Sequence, residues 1–120
     1  MLKYKDITSR STGETHRQYT INQGDTFSLY AKETGDEKVF SSFKFKICEN
    51  YPTPFFEQDF IYDETLQKFI CKIESKNTNE WKVNIDDEAY KYEIEGTYID
   101  GNKVSVELFD FYVDYQVGDE

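Results

Sequence analysis

The stretch Tyr90-Lys91-Tyr92-Glu93-Ile94-Glu95-Gly96-Thr97-Tyr98-Ile99-Asp100-Gly101-Asn102-Lys103-Val104-Ser105-Val106-Glu107-Leu108-Phe109-Asp110-Phe111-Tyr112-Val113 decides the fold. Tyr90, Tyr92, Ile94 and Tyr98 fall on one face of an extended chain, because successive side chains alternate across a strand. Gly96 interrupts that row and marks a bulge or a close approach of another group. Asp100-Gly101 stands between two apolar runs, which is a strong short-range hairpin signal. Beyond it Val104, Val106 and Leu108 occupy even positions, then Phe109, Phe111, Val113 and Tyr115 odd ones. The change of phase at Leu108-Phe109 predicts a bulge, or a strand that changes sheets.

Working toward the N-terminus, the same period of two recurs. Trp81, Val83 and Ile85 read as a short strand ended by Asp86-Asp87-Glu88. Phe69, Cys71 and Ile73 alternate with Ile70, Lys72 and Glu74, and Phe43, Phe45 and Ile47 with Ser42, Lys44 and Lys46. Tyr51-Pro52-Thr53-Pro54 breaks the pattern, since proline cannot donate to a ladder. Phe55, Phe56, Phe60 and Ile61 follow with mixed phase and are expected over one end of the core. Phe27, Leu29 and Ala31 form a strand after the turn signal Asn22-Gln23-Gly24-Asp25, and Gly35-Asp36 lies in a polar connection. Residues 1–18 read as an extended polar arm, 19–117 as the folded domain and 118–120 as an acidic tail. Glu64 to Lys68 and Asp86 to Ala89 have room for one helical turn at most. Six to eight short strands at intervals of about 8 to 14 residues predict an all-β antiparallel sandwich, with a small β-barrel as the alternative.

Composition agrees with one folded domain. The chain has 120 residues, and 18% are aromatic, which opposes disorder in so polar a sequence. A net charge of −10, from 14 basic and 24 acidic residues, argues against direct nucleic-acid binding or an anionic membrane. No apolar run approaches the roughly 18 residues of a membrane span. Met1-Leu2-Lys3-Tyr4-Lys5-Asp6 does not lead into the apolar stretch of a signal peptide. Cys48 and Cys71 both fall in strand-like segments. Without a secretion signal, buried free thiols are the default over a disulfide.

Reactive constellations are scarce. His16 is the single histidine, which leaves no Ser-His-Asp or Cys-His arrangement and no Cys/His metal set. Gly24, Gly35, Gly96 and Gly101 lack the spacing of a phosphate loop. Asp86-Asp87-Glu88 has oxygen ligands that suit calcium, set against the plainer reading of a solvated acidic turn. Asp59, Asp63 and Glu64 make a second such cluster. A glycosidase pair needs one carboxyl raised in pKa within a cleft, which 120 residues seldom build on a plain sandwich. No catalytic residue, cofactor or metal is expected. Trp81 offers a sugar-stacking ring if it is exposed, against the commoner role of core or rim. The acidic surface either imitates DNA phosphates or keeps an aromatic-rich domain soluble.

Asn22-Gln23-Gly24-Asp25-Thr26-Phe27, then Ile85-x-x-x-Ala89-Tyr90-x-Tyr92-x-Ile94, Tyr98-Ile99-Asp100-Gly101-Asn102 and the closing Phe109-x-Phe111-x-Val113 occur in a suggestive order. This order resembles the immunoglobulin-like N-terminal domains of upper baseplate proteins, and related small virion proteins, of tailed phages. The resemblance spans roughly residues 19 to 115; Ala89 and Asp110 stand where that motif usually has glycine. It implies an immunoglobulin-like sandwich that is not an enzyme, made in the host cytoplasm and built into the tail, baseplate or head-tail neck of a virion. Its partners would be other virion proteins, within a homo-oligomer or another symmetric assembly. Arm position and exposure nominate Arg10, His16, Arg17, Tyr30, Tyr62 and Tyr112 as interface residues. Two other functions fit the composition: a small acidic inhibitor of a host nuclease or defence protein, and a carbohydrate-binding module.

Overall fold

In the computed structural model the described residues are 2–31, 39–84 and 88–115. Gly35-Asp36, Ile85, Asp86, Asp87 and the acidic tail at 118–120 lie outside them, and with them the candidate calcium turn.

The alternating runs form strands where one face finds an apolar partner. In chain order these are β1 (Lys3–Thr8), β2 (Thr15–Asn22), β3 (Phe27–Ala31), β4 (Phe40–Asn50), β5 (Thr53–Asp59), β6 (Ile61–Asp63) and β7 (Lys68–Ile73). A single helical turn α1 (Ser75–Thr78) precedes β8 (Tyr90–Tyr98) and β9 (Lys103–Asp114). They build two sheets, a large one in the order β1-β2-β9-β8-β4-β5 and a small one in the order β3-β7-β6. The sheets face each other and do not close, so the protein is a two-sheet, mostly β structure and the barrel alternative is not realised. Every neighbouring pair is antiparallel except β2 and β9, which run parallel.

Aromatic rings fill the space between the sheets. Phe45, Ile47, Tyr92, Phe111, Val113, Cys71 and Ile73 are fully buried. Phe111 sits at the centre, with ring centroids of Tyr19, Phe27, Phe45, Trp81 and Tyr92 5.9 to 6.1 Å away. Fully burying one such side chain contributes about 1.5–3 kcal/mol, and edge-on ring geometry adds to it.

The β8–β9 hairpin forms where Asp100-Gly101 predicts it. Gly101 has φ +93°, a left-handed conformation that favours glycine. Tyr98 N–H donates to the Asn102 carbonyl at 2.8 Å and Gly101 N–H to the Tyr98 carbonyl at 2.9 Å. The phase change is a bulge, placed earlier than the sequence suggests. Ile94 pairs with Glu107 and Glu95 with Ser105, leaving Val106 as the extra residue of β9. Glu107, Phe109, Phe111 and Val113 thereby take the inner face. Gly96 is a close approach, since a Cβ there would lie 2.6 Å from Cε1 of Phe40.

Five expectations need correction. The described residues form nine strands, not six to eight. Residues 1–18 are not an extended arm: β1 and the first half of β2 form a hairpin, paired from Lys3↔Thr20 to Thr8↔Thr15. The mixed-phase aromatics after Pro54 do not simply cap the core, because Thr53–Asp59 is the edge strand β5, where a proline is tolerated. Trp81 to Asn84 is no strand; it is a connector held by side chains. Val83 is only half-buried there, while Asn84 Oδ1 accepts from Val113 N–H at 2.5 Å. Leu108 lies across the sheet from the core row, opposite Glu93, because the bulge precedes it.

Candidate functional site

The parallel pair β2 and β9 is joined only from Tyr19↔Phe111 to Asn22↔Asp114. Before those points the two strands diverge. Thr15 to Gln18 pair with β1 on one side, and β9 from Lys103 to Asp110 pairs with β8 on one side. Each therefore presents a backbone edge, with no strand between them among the described residues. The gap is a cleft of about 820 Å³ lined by residues of β1, β2 and β9, including Asp6, His16, Arg17, Val106 and Glu107. We call it the fork.

Polar side chains line the fork and tie its strands together. Arg17 Nε donates to Asp6 Oδ1 at 3.3 Å, and its guanidinium carbon lies 4.1 Å from the centre of the Tyr4 ring. His16 stacks on Phe109 with centroids 5.1 Å apart and planes 15° apart, and its Nε2 is 3.4 Å from Glu14 Oε2. At the crotch the Tyr92 hydroxyl points at the Arg17 carbonyl oxygen, 2.6 Å away, and also bonds the Glu107 carboxylate. Burial, then the bond to Glu107, hold this phenol protonated far above the ordinary tyrosine range. The ring of Tyr92 is thus core, and its oxygen is the rivet between β2 and β9.

The nominated interface residues do not form one surface. His16 and Arg17 come together in the fork. Arg10 is exposed in the turn that joins β1 to β2. Tyr30 is exposed on the outer face of the small sheet, in register with Ile70, which in turn pairs with Ile61. Tyr62 turns inward, its ring edge-on to Phe69 at 5.0 Å. Tyr112 is half-buried on the outer face of the large sheet, in register with Thr20. Asp6, Tyr92 and Glu107 escape a sequence reading. The one signal pointing to Glu107 is the phase change, which puts a carboxylate on a face otherwise filled by apolar side chains.

Elsewhere the chemistry is quiet. Cys48 and Cys71 are free and buried, and burial pushes the Cys71 thiol up to about 12. Cys71 faces the core, whereas Cys48, in register with Lys91, lies on the other face of its strand from Ile47. Trp81 is only 4% exposed, so it does not present a free ring to a sugar. Among the described residues no group of three or more His, Cys, Asp or Glu is placed to hold a metal, and no helix is long and apolar enough to cross a membrane. On the outer face of the large sheet, register places lysines among carboxylates. Lys44 lies 3.5 Å from Glu57 and 3.8 Å from Asp59, and Lys46 lies 3.4 Å from Glu95. Part of the acidic charge is therefore balanced across strands. Comparison with protein-family models, with curated proteins and with solved structures finds no match to this chain.

Proposed function

We propose that the chain is a non-enzymatic structural component of a tailed-phage virion, in the tail, baseplate or head-tail neck, and that it works by protein-protein contacts. The fork carries this reading. Two facing backbone edges on a rigid aromatic sandwich offer a place for an extended segment of a neighbour to add as a strand. The partners proposed are other virion proteins or further copies of the same chain.

The sandwich is read as immunoglobulin-like, which supports that setting. In the small sheet β3-β7-β6 follows the order B-E-D of that fold, and β9-β8-β4-β5 follows G-F-C-C′. Tyr90, at the start of β8, donates its hydroxyl to the Lys82 carbonyl at 2.5 Å, as the tyrosine corner of such domains does at strand F. Tyr92 takes the place two residues later where antibody domains have a cysteine.

A second reading is favoured by the net charge of −10: a small acidic inhibitor of a host nuclease or defence protein. Affinity capture of the tagged chain from cells that make it, at moderate salt, separates the two. Recovery of portal, tail or baseplate proteins, lost when residues 1–18 are deleted and circular dichroism still shows a folded sheet, is the expected result. Recovery of a single host nuclease would overturn the virion reading.

A further inference from the structure

A second cavity, away from the fork, lies where the connector after α1 meets β4, β5 and β8. It measures about 370 Å³ and is lined by Phe55, Phe56, Trp81 and Tyr90, with Glu49 and Glu80 beside them. Phe55 is 44% exposed, and its ring meets that of Tyr90 at 5.1 Å and that of Trp81 at 6.0 Å, both edge-on. Phe56 backs Trp81 at 5.2 Å. The buried Trp81 and Tyr90 form the floor and Phe55 the open wall. Both glutamates are exposed, and neither has an ion-pair partner among the described residues. Among the described residues the one cation lining the cavity, Lys82, is exposed and without an ion-pair partner.

These features suit one ligand class. An aromatic face attracts a cation through its quadrupole, and two unpaired carboxylates beside it supply acceptors for a forked donor. A guanidinium matches both, since it is planar, stacks on rings and bonds carboxylates in pairs. Its aliphatic stem would cover the ring edges that water now meets. We propose that this cavity is a docking site for an arginine side chain of a protein partner, with Phe55 as the stacking wall and Glu49 and Glu80 as the acceptors. The proposal rests on the reading that the chain acts through protein contacts.

The single tryptophan of the chain lies in the cavity, so its fluorescence reports binding directly. Titration with the blocked tripeptide Gly-Arg-Gly is expected to shift Trp81 emission saturably. The citrulline counterpart, equal in shape and uncharged, is expected to bind at least tenfold more weakly. The Glu49→Gln, Glu80→Gln double variant should lose tenfold for the arginine peptide, and Lys82→Gln should gain severalfold by removing the competing cation. The glutamates are exposed, so circular dichroism should be unchanged in both variants. Equal binding of the two peptides, or an unaltered affinity in the double variant, would overturn the assignment. So would spermidine binding as tightly as the arginine peptide, since the source would then not be a protein side chain. Arginine binding without capture of any virion protein would keep this site and remove the virion setting. Undiminished capture by the double variant, with no arginine binding by the parent chain, would do the reverse.

Discussion

The large sheet is sealed at one side and open at the other. Toward β4 and β8, rings of the small sheet seat on its inner face: Phe27 lies 6.4 Å from Phe45 and Phe69 lies 5.1 Å from Phe43. Toward β1 and β2, the same inner face carries Asp6, Arg17 and Glu107, and the strands part. The sealed side is held by area removed from water, which is large and tolerant of exchange among apolar groups. The open side is held by directed polar contacts, each small in net free energy. A fold of this kind separates a packed scaffold from an open, polar edge.

The contrast predicts where the molecule breaks. Phe111→Ala removes the ring that five others touch and should lower unfolding stability by about 3–5 kcal/mol in urea titrations. A loss below about 1 kcal/mol would mean that the aromatic core is looser than its packing implies. Gly96→Ala should cost about 1–3 kcal/mol, because the new methyl meets the Phe40 ring at 2.6 Å. That ring has little freedom to yield, being stacked on Tyr98 at 4.5 Å.

Alkaline pH probes the sealed side through Cys71. Its thiol stays protonated in the folded chain up to about 12, whereas the unfolded thiol ionises near 9. Above the unfolded value the native state binds more protons, so stability is full below about pH 9 and falls as pH rises toward the folded value, by about 1.4 kcal/mol per unit. Tyr19, Tyr90 and Tyr92 are displaced in the same direction, chiefly by burial, and add to the loss above about pH 10. Urea titrations between pH 7 and 10 should show the decline, and Cys71→Ala should flatten its first part. At the other extreme, Lys44→Ala on the outer face should change stability by less than about 0.5 kcal/mol, since its ion pairs are solvated.

Legibility in the sequence follows the same division. Phe43, Phe45 and Ile47, Phe69, Cys71 and Ile73, and Tyr90, Tyr92 and Ile94 announce their strands because one face of each is buried and the other wet. The hairpin at Asp100-Gly101 is equally plain. Lys3–Thr8 gives no such signal: it is exposed along nearly its whole length, so its ladder is made by backbone groups that carry no side-chain pattern. The stretch that reads as an arm therefore conceals a hairpin, and with it the fork. Trp81 misled for the opposite reason, since a large apolar residue in an irregular connector looks like the start of a strand. Of the fork itself, position alone singles out His16 and Arg17. Glu107 acquires its place beside the Tyr92 hydroxyl from a bulge at Val106 that local patterning puts two residues too late.

Amide hydrogen exchange, read in the free chain and again in its complex with the captured partner, tests the working role of the open side most directly. Backbone amides of Thr15 to Gln18 and of Lys103 to Asp110 that lack a ladder partner should exchange quickly in the free chain and become protected in the complex, while Phe43 to Ile47 stay slow in both. Protection elsewhere, with the fork amides exchanging as fast in the complex as in the free chain, would contradict the account.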